Sequence, residues 1–383
     1  MKDRYILFFT IFFSLYSILN FYIGKVIFKG LRITTNLSPL PFWIVFCTLA
    51  SSYIVSMAMT KYLPQSISNF LSFIGSYWLS LLMYGSLFFP ILGLINLILK
   101  KSSLLNNKIY TIETVLMTTV FILFIIIGSY NANNSYVKSF DIDIEKDTLK
   151  DPLNIVMVSD LHLGNIVKNN KLKTMVNEIN ELNPDLVIIA GDIIDSDITP
   201  FLNHNMAIEF SNIKSKYGTF AALGNHDILT KEEDNIVNIL EENSVTVLRD
   251  ESILINDEFY IIGRDDITVN RYGNKDRATL EDLTKNLDSS KPLIVIDHNP
   301  QYINESLNAN IDLQLSGHTH RGQIIPGNLV TNKIFEVHYG YLKKDNLNVV
   351  VSSGYGTWGP PIRLGSRSEI VQINLGMKNW AVL

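Results

Sequence analysis

The chain has 383 residues, 47% of them hydrophobic, and a formal net charge of −5. Residues 1–137 carry nine Lys/Arg against two Asp/Glu and the rest 23 against 35, so a basic, apolar third is joined to an acidic remainder of soluble character. That acidity argues against a nucleic-acid partner, because phosphate backbones are held by clustered Lys and Arg. A single cysteine, Cys47, excludes a disulfide framework or a thiolate zinc site within one chain.

Four apolar runs fill the first third: Tyr5 to Ile23, Phe42 to Met59, Phe70 to Leu99 and Tyr110 to Tyr130. Each reaches about the ~20 residues a helix needs to cross the hydrocarbon layer. Residues 1–130 are therefore expected to form a multi-pass membrane region of four transmembrane helices in contact with membrane lipids. The third run is overlong and holds Pro90, which a tilted or kinked span absorbs. Lys2 and Arg4 resemble the basic start of a signal peptide, but the length of the run and the lack of a small-residue cleavage pattern favour a retained helix. Glu113 falls in the first turn of its run, which suits an interfacial position better than an intramembrane functional acid. Four spans return the chain to its starting side. The loops on the other side hold Lys25, Lys29, Arg32, Lys100, Lys101 and Lys108, and this short-loop asymmetry places the acidic domain outside the cell membrane.

Residues 131–150 are polar, rich in Asn and Asp, and read as a linker. From Asn154 onward, short apolar strands alternate with amphipathic helices. Asn154 to Ser159, Leu186 to Ala190 and Phe220 to Leu223 read as strands, and Lys171 to Leu182 and Lys231 to Asn243 as helices. Later strands are expected at Phe259 to Ile262, Leu293 to Asp297, Leu313 to Ser316, Asn348 to Ser352 and Glu369 to Asn374. Alternation of this kind predicts a layered α/β catalytic domain over residues 151–383.

Five of these strands run into residues able to ligate a metal: Asp160-Leu161-His162, Gly191-Asp192, Gly224-Asn225-His226-Asp227, Asp297-His298 and Gly317-His318-Thr319-His320. The carboxyl ends of strands form the usual crevice of an open α/β sheet, so the five loops should converge. Any one piece alone passes for a polar turn. As a set they are specific, since five of the seven histidines sit at these ends and only His204 and His338 lie elsewhere. Asp, His and Asn donors without Cys suit two divalent cations such as Mn, Fe or Zn. Two such ions, about 3.5–4 Å apart, need a carboxylate between them and hold a bridging water as hydroxide at neutral pH.

This ordered set resembles the calcineurin-like metallophosphoesterase superfamily, motif for motif, over about residues 150–375. The resemblance implies a four-layer α/β/β/α sandwich with two central mixed sheets. It implies that Asp160, His162 and His320 bind one metal, that Asn225, His298 and His318 bind the second, and that Asp192 bridges them. It also implies that His226 stands by the scissile phosphate as general acid, oriented by Asp227. The tail from Ser352 to Gly365 looks like a segment of the membrane-associated, phosphodiesterase-like branch, whose members often carry Gly where this chain has Arg321. Arg321 could grip a phosphate oxygen or be a solvated loop charge, whereas Arg363, in a loop stiffened by glycines and prolines, is expected to face the substrate. Trp358 is expected as a packed loop anchor rather than a substrate stacker, and Asp195 and Asp197 as residues supporting the ligands or capping a turn.

These readings converge on a membrane-anchored hydrolase of phosphodiester or pyrophosphate type. In-line attack by the bridging hydroxide would proceed with help from His226, on a phosphorylated substrate, with a lipid-linked or cell-envelope phosphate ester as the expected class. The rival is a non-catalytic membrane regulatory or scaffold protein that keeps a structural dimetal site. A transport role has little support, because the spans lack paired intramembrane charges.

Overall fold

The computed structural model describes residues 2–59, 62–146, 149–273 and 275–377. The chain divides into two compact units, the first running through Ile127 and including Gly359–Pro361, the second beginning at Gly128.

The first unit is helical: α1 (Lys2–Thr34), α2 (Pro39–Met59), α3 (Gln65–Lys101) and α4 (Asn107–Asn133), whose last turns belong to the second unit. All four are long and apolar enough to cross a membrane. At about 1.5 Å per residue α3 exceeds the ~30 Å hydrocarbon layer, and Pro90 lies inside it. Ile23, Phe46, Ala50, Trp78 and Phe89 pack together, while Leu94, Leu97 and Leu116 point outward. Polar groups join the helices where lipid offers no partners. Trp78 Nε1 donates to Asn20 Oδ1 at 3.0 Å, Ser56 Oγ to Ser68 O at 2.9 Å, and Asn96 Nδ2 to the Glu113 carboxylate at 2.9 Å.

The second unit holds two six-stranded sheets. The first is built from β1 (Tyr136–Ile144), β2 (Leu153–Val158), β3 (Leu186–Ala190), β4 (Thr219–Ala222), β5 (Val245–Val247) and β12 (Glu369–Met377), in the order β1-β12-β2-β3-β4-β5. The second uses β6 (Glu251–Ile255), β7 (Phe259–Gly263), β8 (Leu293–Ile296), β9 (Leu313–Ser316), β10 (Gly340–Lys344) and β11 (Leu347–Val351), in the order β10-β11-β9-β8-β7-β6. Both are mixed: β2 to β5 run parallel, with β12 antiparallel to β2, and β7, β8, β9 and β11 run parallel between two antiparallel edge strands.

Helices α5 (Asn169–Glu181), α6 (Thr199–Asn203), α7 (Asn225–Leu229), α8 (Glu233–Glu242), α9 (Val269–Tyr272), α10 (Leu280–Thr284), α11 (Ile303–Asn308) and α12 (Gly327–Ile334) complete the unit. The two-residue strand period sorts side chains into layers. Val156 and Val158 of β2 pack with Leu172, Met175 and Ile179 of α5. Their neighbours Ile155 and Met157 join Ile294, Leu313 and Val350 of the facing sheet. Val295 and Val349 close the far side with Leu280 and Ile303. The result is the four-layer α/β/β/α sandwich preceded by long apolar helices.

The stretch 131–150, expected as a linker, instead contains β1, paired in parallel with β12 from Tyr136↔Glu369 to Ile144↔Met377. Its apolar residues Phe140, Ile142 and Ile144 alternate with Ser139, Asp141 and Asp143, so a half-buried strand hides behind a polar composition.

Candidate metal centre

The five predicted ligand loops do converge. Each follows the carboxyl end of β2, β3, β4, β8 or β9, and backbone bonds join one loop to the next. Asp160 N donates to Gly191 O at 3.0 Å, His162 N to Asp192 O at 3.0 Å and Gly317 N to His298 O at 2.9 Å. The carboxylates are fixed the same way: Asp160 Oδ1 accepts from His318 N at 2.9 Å and Asp192 Oδ1 from His226 N at 2.8 Å. The glycines of these motifs make room, since a Cβ on Gly317 would strike the Asp160 carboxylate and one on Gly224 the Asp192 carboxylate. Asp160, His162, Asp192, His318 and His320 all sit at positive φ, between 47° and 70°, a region that non-glycine residues enter at a cost of ~1 kcal/mol or more.

Among the described residues three groups of potential ligands form: Asp160, His162 and His320; Asp192, His298 and His318; and His162, Asp195 and His226. The resemblance implies the first two, with Asn225 added to the second and Asp192 shared. His162 Nε2 and His320 Nε2 face each other at 3.0 Å, and His320 Nε2 is 3.4 Å from Asp160 Oδ1. His298 Nδ1 lies 2.7 Å from the Ala190 carbonyl, which can only accept, so Nδ1 carries a proton and Nε2 is the nitrogen turned toward the cluster. That Nε2 is buried 3.2 Å from Asp192 Oδ2. Asn225 Oδ1 lies 2.8 Å from His318 Nδ1. Buried ring nitrogens turned toward one another and toward carboxylates, with no Cys, fit divalent cations held by nitrogen and oxygen.

Burial and neighbouring charges set the protonation of the cluster. Burial pushes His162 down to about 4 and holds His320 well below the usual histidine range, so both rings are neutral donors at neutral pH. Burial also resists charge on Asp192 and His298, but their mutual attraction at 3.2 Å overrides it, lowering the acid and raising the base. Asp160, buried beside other carboxylates, is raised.

His226 stands at the edge of the cluster, its ring edge-on to His162 with centroids 4.7 Å apart. Asp227, expected to orient this ring, does something else. Its carboxylate accepts from the backbone N–H groups of Ile193, Ile194 and Gly224, bracing the loops of Asp192 and Asn225. Burial, with Asp192 close by, lifts it to about 7. The ring of His226 is held instead by Asp195, whose Oδ1 is 3.5 Å from Nδ1, and by Ser196 Oγ at 3.2 Å. Burial works against protonation of His226, and the Asp195 contact outweighs it, keeping this histidine above its ordinary value. Asp195, expected to serve either the ligands or a turn, thus does the former, while Asp197 Oδ1 accepts from Thr199 N in a local turn.

Three further residues depart from expectation or refine it. Arg363 is not substrate-facing: it is fully buried and donates to the carbonyls of Gly354 and Gly356 and to Ser366 Oγ, with Nη2 3.4 Å from His320 Nδ1. Arg321 lies partly buried over the Tyr339 ring, 4.4 Å from its centroid. Trp358 is no packed anchor. It is exposed, with its ring 6.1 Å from that of His226.

A two-sheet α/β sandwich with Asp, His and Asn donors at the ends of its parallel strands defines the metallophosphoesterase class. The chain belongs to the calcineurin-like phosphoesterase family, whose sequence model matches residues 153–322, and members of the family are metal-dependent phosphoester hydrolases. It is 31% identical over 299 residues to an uncharacterized metallophosphoesterase of Campylobacter jejuni, covering 77% of this chain and 78% of that protein. It is 30% identical over 277 residues to a transmembrane protein with metallophosphoesterase domain of Danio rerio, covering 69% of this chain and 62% of that one. A Bacillus subtilis relative, the uncharacterized metallophosphoesterase YkoQ, is 31% identical over 282 residues, which cover 68% of this chain and 98% of its own.

Proposed function

We propose that this chain is a membrane-anchored phosphoester hydrolase, of phosphodiesterase or pyrophosphatase type, that works with two divalent metal ions. The observation that carries the dinuclear reading is the placement of Asp192. Its Oδ2 lies 3.2 Å from His298 Nε2 and 3.8 Å from His162 Nε2, and those two histidines belong to different ligand groups. A carboxylate so placed can serve both ions.

When bound, the two ions would supply Lewis acidity to the phosphoryl group and lower the pKa of the attacking water. Asp160, His162 and His320 would hold one, Asn225, His298 and His318 the other, with Asp192 shared. His226, whose pKa the Asp195 contact raises against burial, is in place to donate to the departing oxygen as the P–O bond breaks. Asp227 keeps the two loops in register, and Arg363 fixes His320 from behind. Mn, Fe or Zn all suit the donor set.

Four spans of adequate length support a multi-pass anchor in the cell membrane, and the charge asymmetry of the short loops supports an extracytoplasmic catalytic domain. That location favours a lipid-linked or cell-envelope phosphate ester as substrate. The test is hydrolysis of a chromogenic phosphodiester by the full chain, purified in detergent with added manganese, beside its Asp192→Ala variant. The parent should turn over and the variant should not, and equal rates would refute the enzymatic reading. A C-terminal reporter active only outside the cell tests the topology, and a silent one reverses it.

A further inference from the structure

Helix α12 (Gly327–Ile334) has no buried residue, although it lies beside the metal centre. Leu329, Val330 and Ile334 share one side of it and are 66%, 58% and 62% exposed. Ile325, just before the helix, and Trp358 extend the patch at 47% and 56%. Large apolar side chains exposed together mark a docking surface rather than ordinary scatter.

The patch borders the phosphate site at several points. Trp358 pairs with Gln323 through two hydrogen bonds of 2.9 Å and sets its ring against His226. Just past the far end of α12, the Phe335 ring stands 6.0 Å from that of His318.

Within this same unit lie the last turns of α4, a helix of membrane-crossing length. Arg363 links them to the site: its backbone N donates to Gly128 O at 2.9 Å, and its guanidinium reaches His320. The next residue, Leu364, accepts from Ile325 N at 2.8 Å, which connects those turns to the base of the apolar patch. One arginine therefore separates the end of a membrane-crossing helix from a candidate metal ligand, and the patch begins beside it.

We infer that Ile325, Leu329, Val330, Ile334 and Trp358 dip into the lipid bilayer surface and seat the metal centre on it, so that its phosphoester substrate is taken from a membrane lipid. The amphipathic face and the tryptophan suit the boundary between headgroups and acyl chains, and exposed Lys333 suits anionic headgroups. The substrate half of this inference rests on the phosphoesterase reading above, whereas the seat does not.

The test uses the full chain in phosphatidylcholine–phosphatidylglycerol vesicles. In a Cys47→Ser background, an environment-sensitive fluorophore is attached at Leu329→Cys or, as a control on α8, at Glu241→Cys. The probe at 329 should emit at shorter wavelength than the control and be quenched by lipids carrying nitroxide on their acyl chains. Emission matching the control overturns the seat. A blue shift that acyl-chain nitroxides do not quench overturns it too, since a second copy or another protein would then cover the face. The triple variant Leu329→Glu, Val330→Glu, Ile334→Glu should lower hydrolysis of a vesicle-borne phosphodiester about tenfold relative to a soluble one in the same preparation. An unchanged ratio overturns the substrate half. A quenched probe on a chain that hydrolyses neither ester leaves the seat standing and removes the phosphoesterase reading.

Discussion

Replacing Arg363 by alanine separates two roles that the sequence leaves open. A substrate-gripping arginine, once lost, raises KM and leaves the fold alone. The structure points the other way, because the side chain has no exposure and its guanidinium satisfies Gly354 O at 3.1 Å, Gly356 O at 2.7 Å and Ser366 Oγ at 3.1 Å. Truncation strands the buried Gly356 carbonyl at about 1–3 kcal/mol, takes one of two donors from Gly354 O, which keeps Glu369 N at 3.2 Å, and leaves a void besides. Relief from burying a charge, whose guanidinium is pushed down to about 10 by desolvation, offsets part of this. A net loss of about 3 kcal/mol is expected, which at ~2–4 °C per kcal/mol for a domain of this size lowers Tm by ~6–12 °C. Intrinsic-fluorescence melting of the purified full chain measures it, with Arg363→Lys falling between. Since Nη2 also contacts His320, metal affinity should fall in parallel. An unchanged Tm with a raised KM would refute the buried reading.

His226→Ala should leave bound metal near the parental level while turnover falls by ~10² or more, the scale of a lost general acid, and loss of metal would make His226 a ligand instead. Lys171 carries a pH dependence: its ammonium is almost fully buried, donates to Ala132 O, and is pushed down to about 7 by desolvation. Its folded pKa is below the unfolded value, so between the two the unfolded chain binds more protons and stability rises with pH. The Tm of the parent should climb relative to Lys171→Met between about pH 7 and 10, and a constant difference would exclude the linkage. A fragment starting at residue 150 lacks β1 and opens the edge of β12, so it should melt lower and aggregate more than one starting at residue 134. Equal behaviour in light scattering would show that β1 is dispensable.

The ligand loops were legible because each apolar strand stops abruptly at a residue that can bind metal, a pattern that survives without knowledge of the fold. The strand order was not, since β12 is inserted between β1 and β2 by long-range pairing that no local period records. Strand β1 was hidden because its solvent-side Ser and Asp residues dominate the composition, although Phe140, Ile142 and Ile144 carry the period-two signal. Asp195 and Asp227 were given unequal parts because the resemblance assigned the orienting role to Asp227. The α7 turn sends that carboxylate back onto the backbone of the Asp192 loop and leaves the ring to a residue 31 positions earlier. For Arg363 the sequence supplied a charge beside a motif but no direction, and only the packing of Gly354 and Gly356 around its guanidinium sets one.

The backbone at the centre argues that cation binding and folding are one equilibrium. Five candidate ligands hold positive φ, and His162 Nδ1 is buried without a hydrogen-bond partner. Strain and unmet polar groups of this kind persist where something else in the native state compensates them, and a cation bound only by the folded chain would do so. At a free-ion concentration about a thousandfold above Kd, such binding contributes ~4 kcal/mol, or ~8–16 °C in Tm at the scale used for Arg363. Chelation should therefore lower the Tm of the full chain by that order, and restoring manganese should recover it. In Asp192→Ala the response should shrink sharply, because the carboxylate serving both ligand groups is gone. A parent chain whose melting ignores chelator and metal alike would show that these residues are held by the fold for another reason, and the hydrolytic assignment would lose its physical basis.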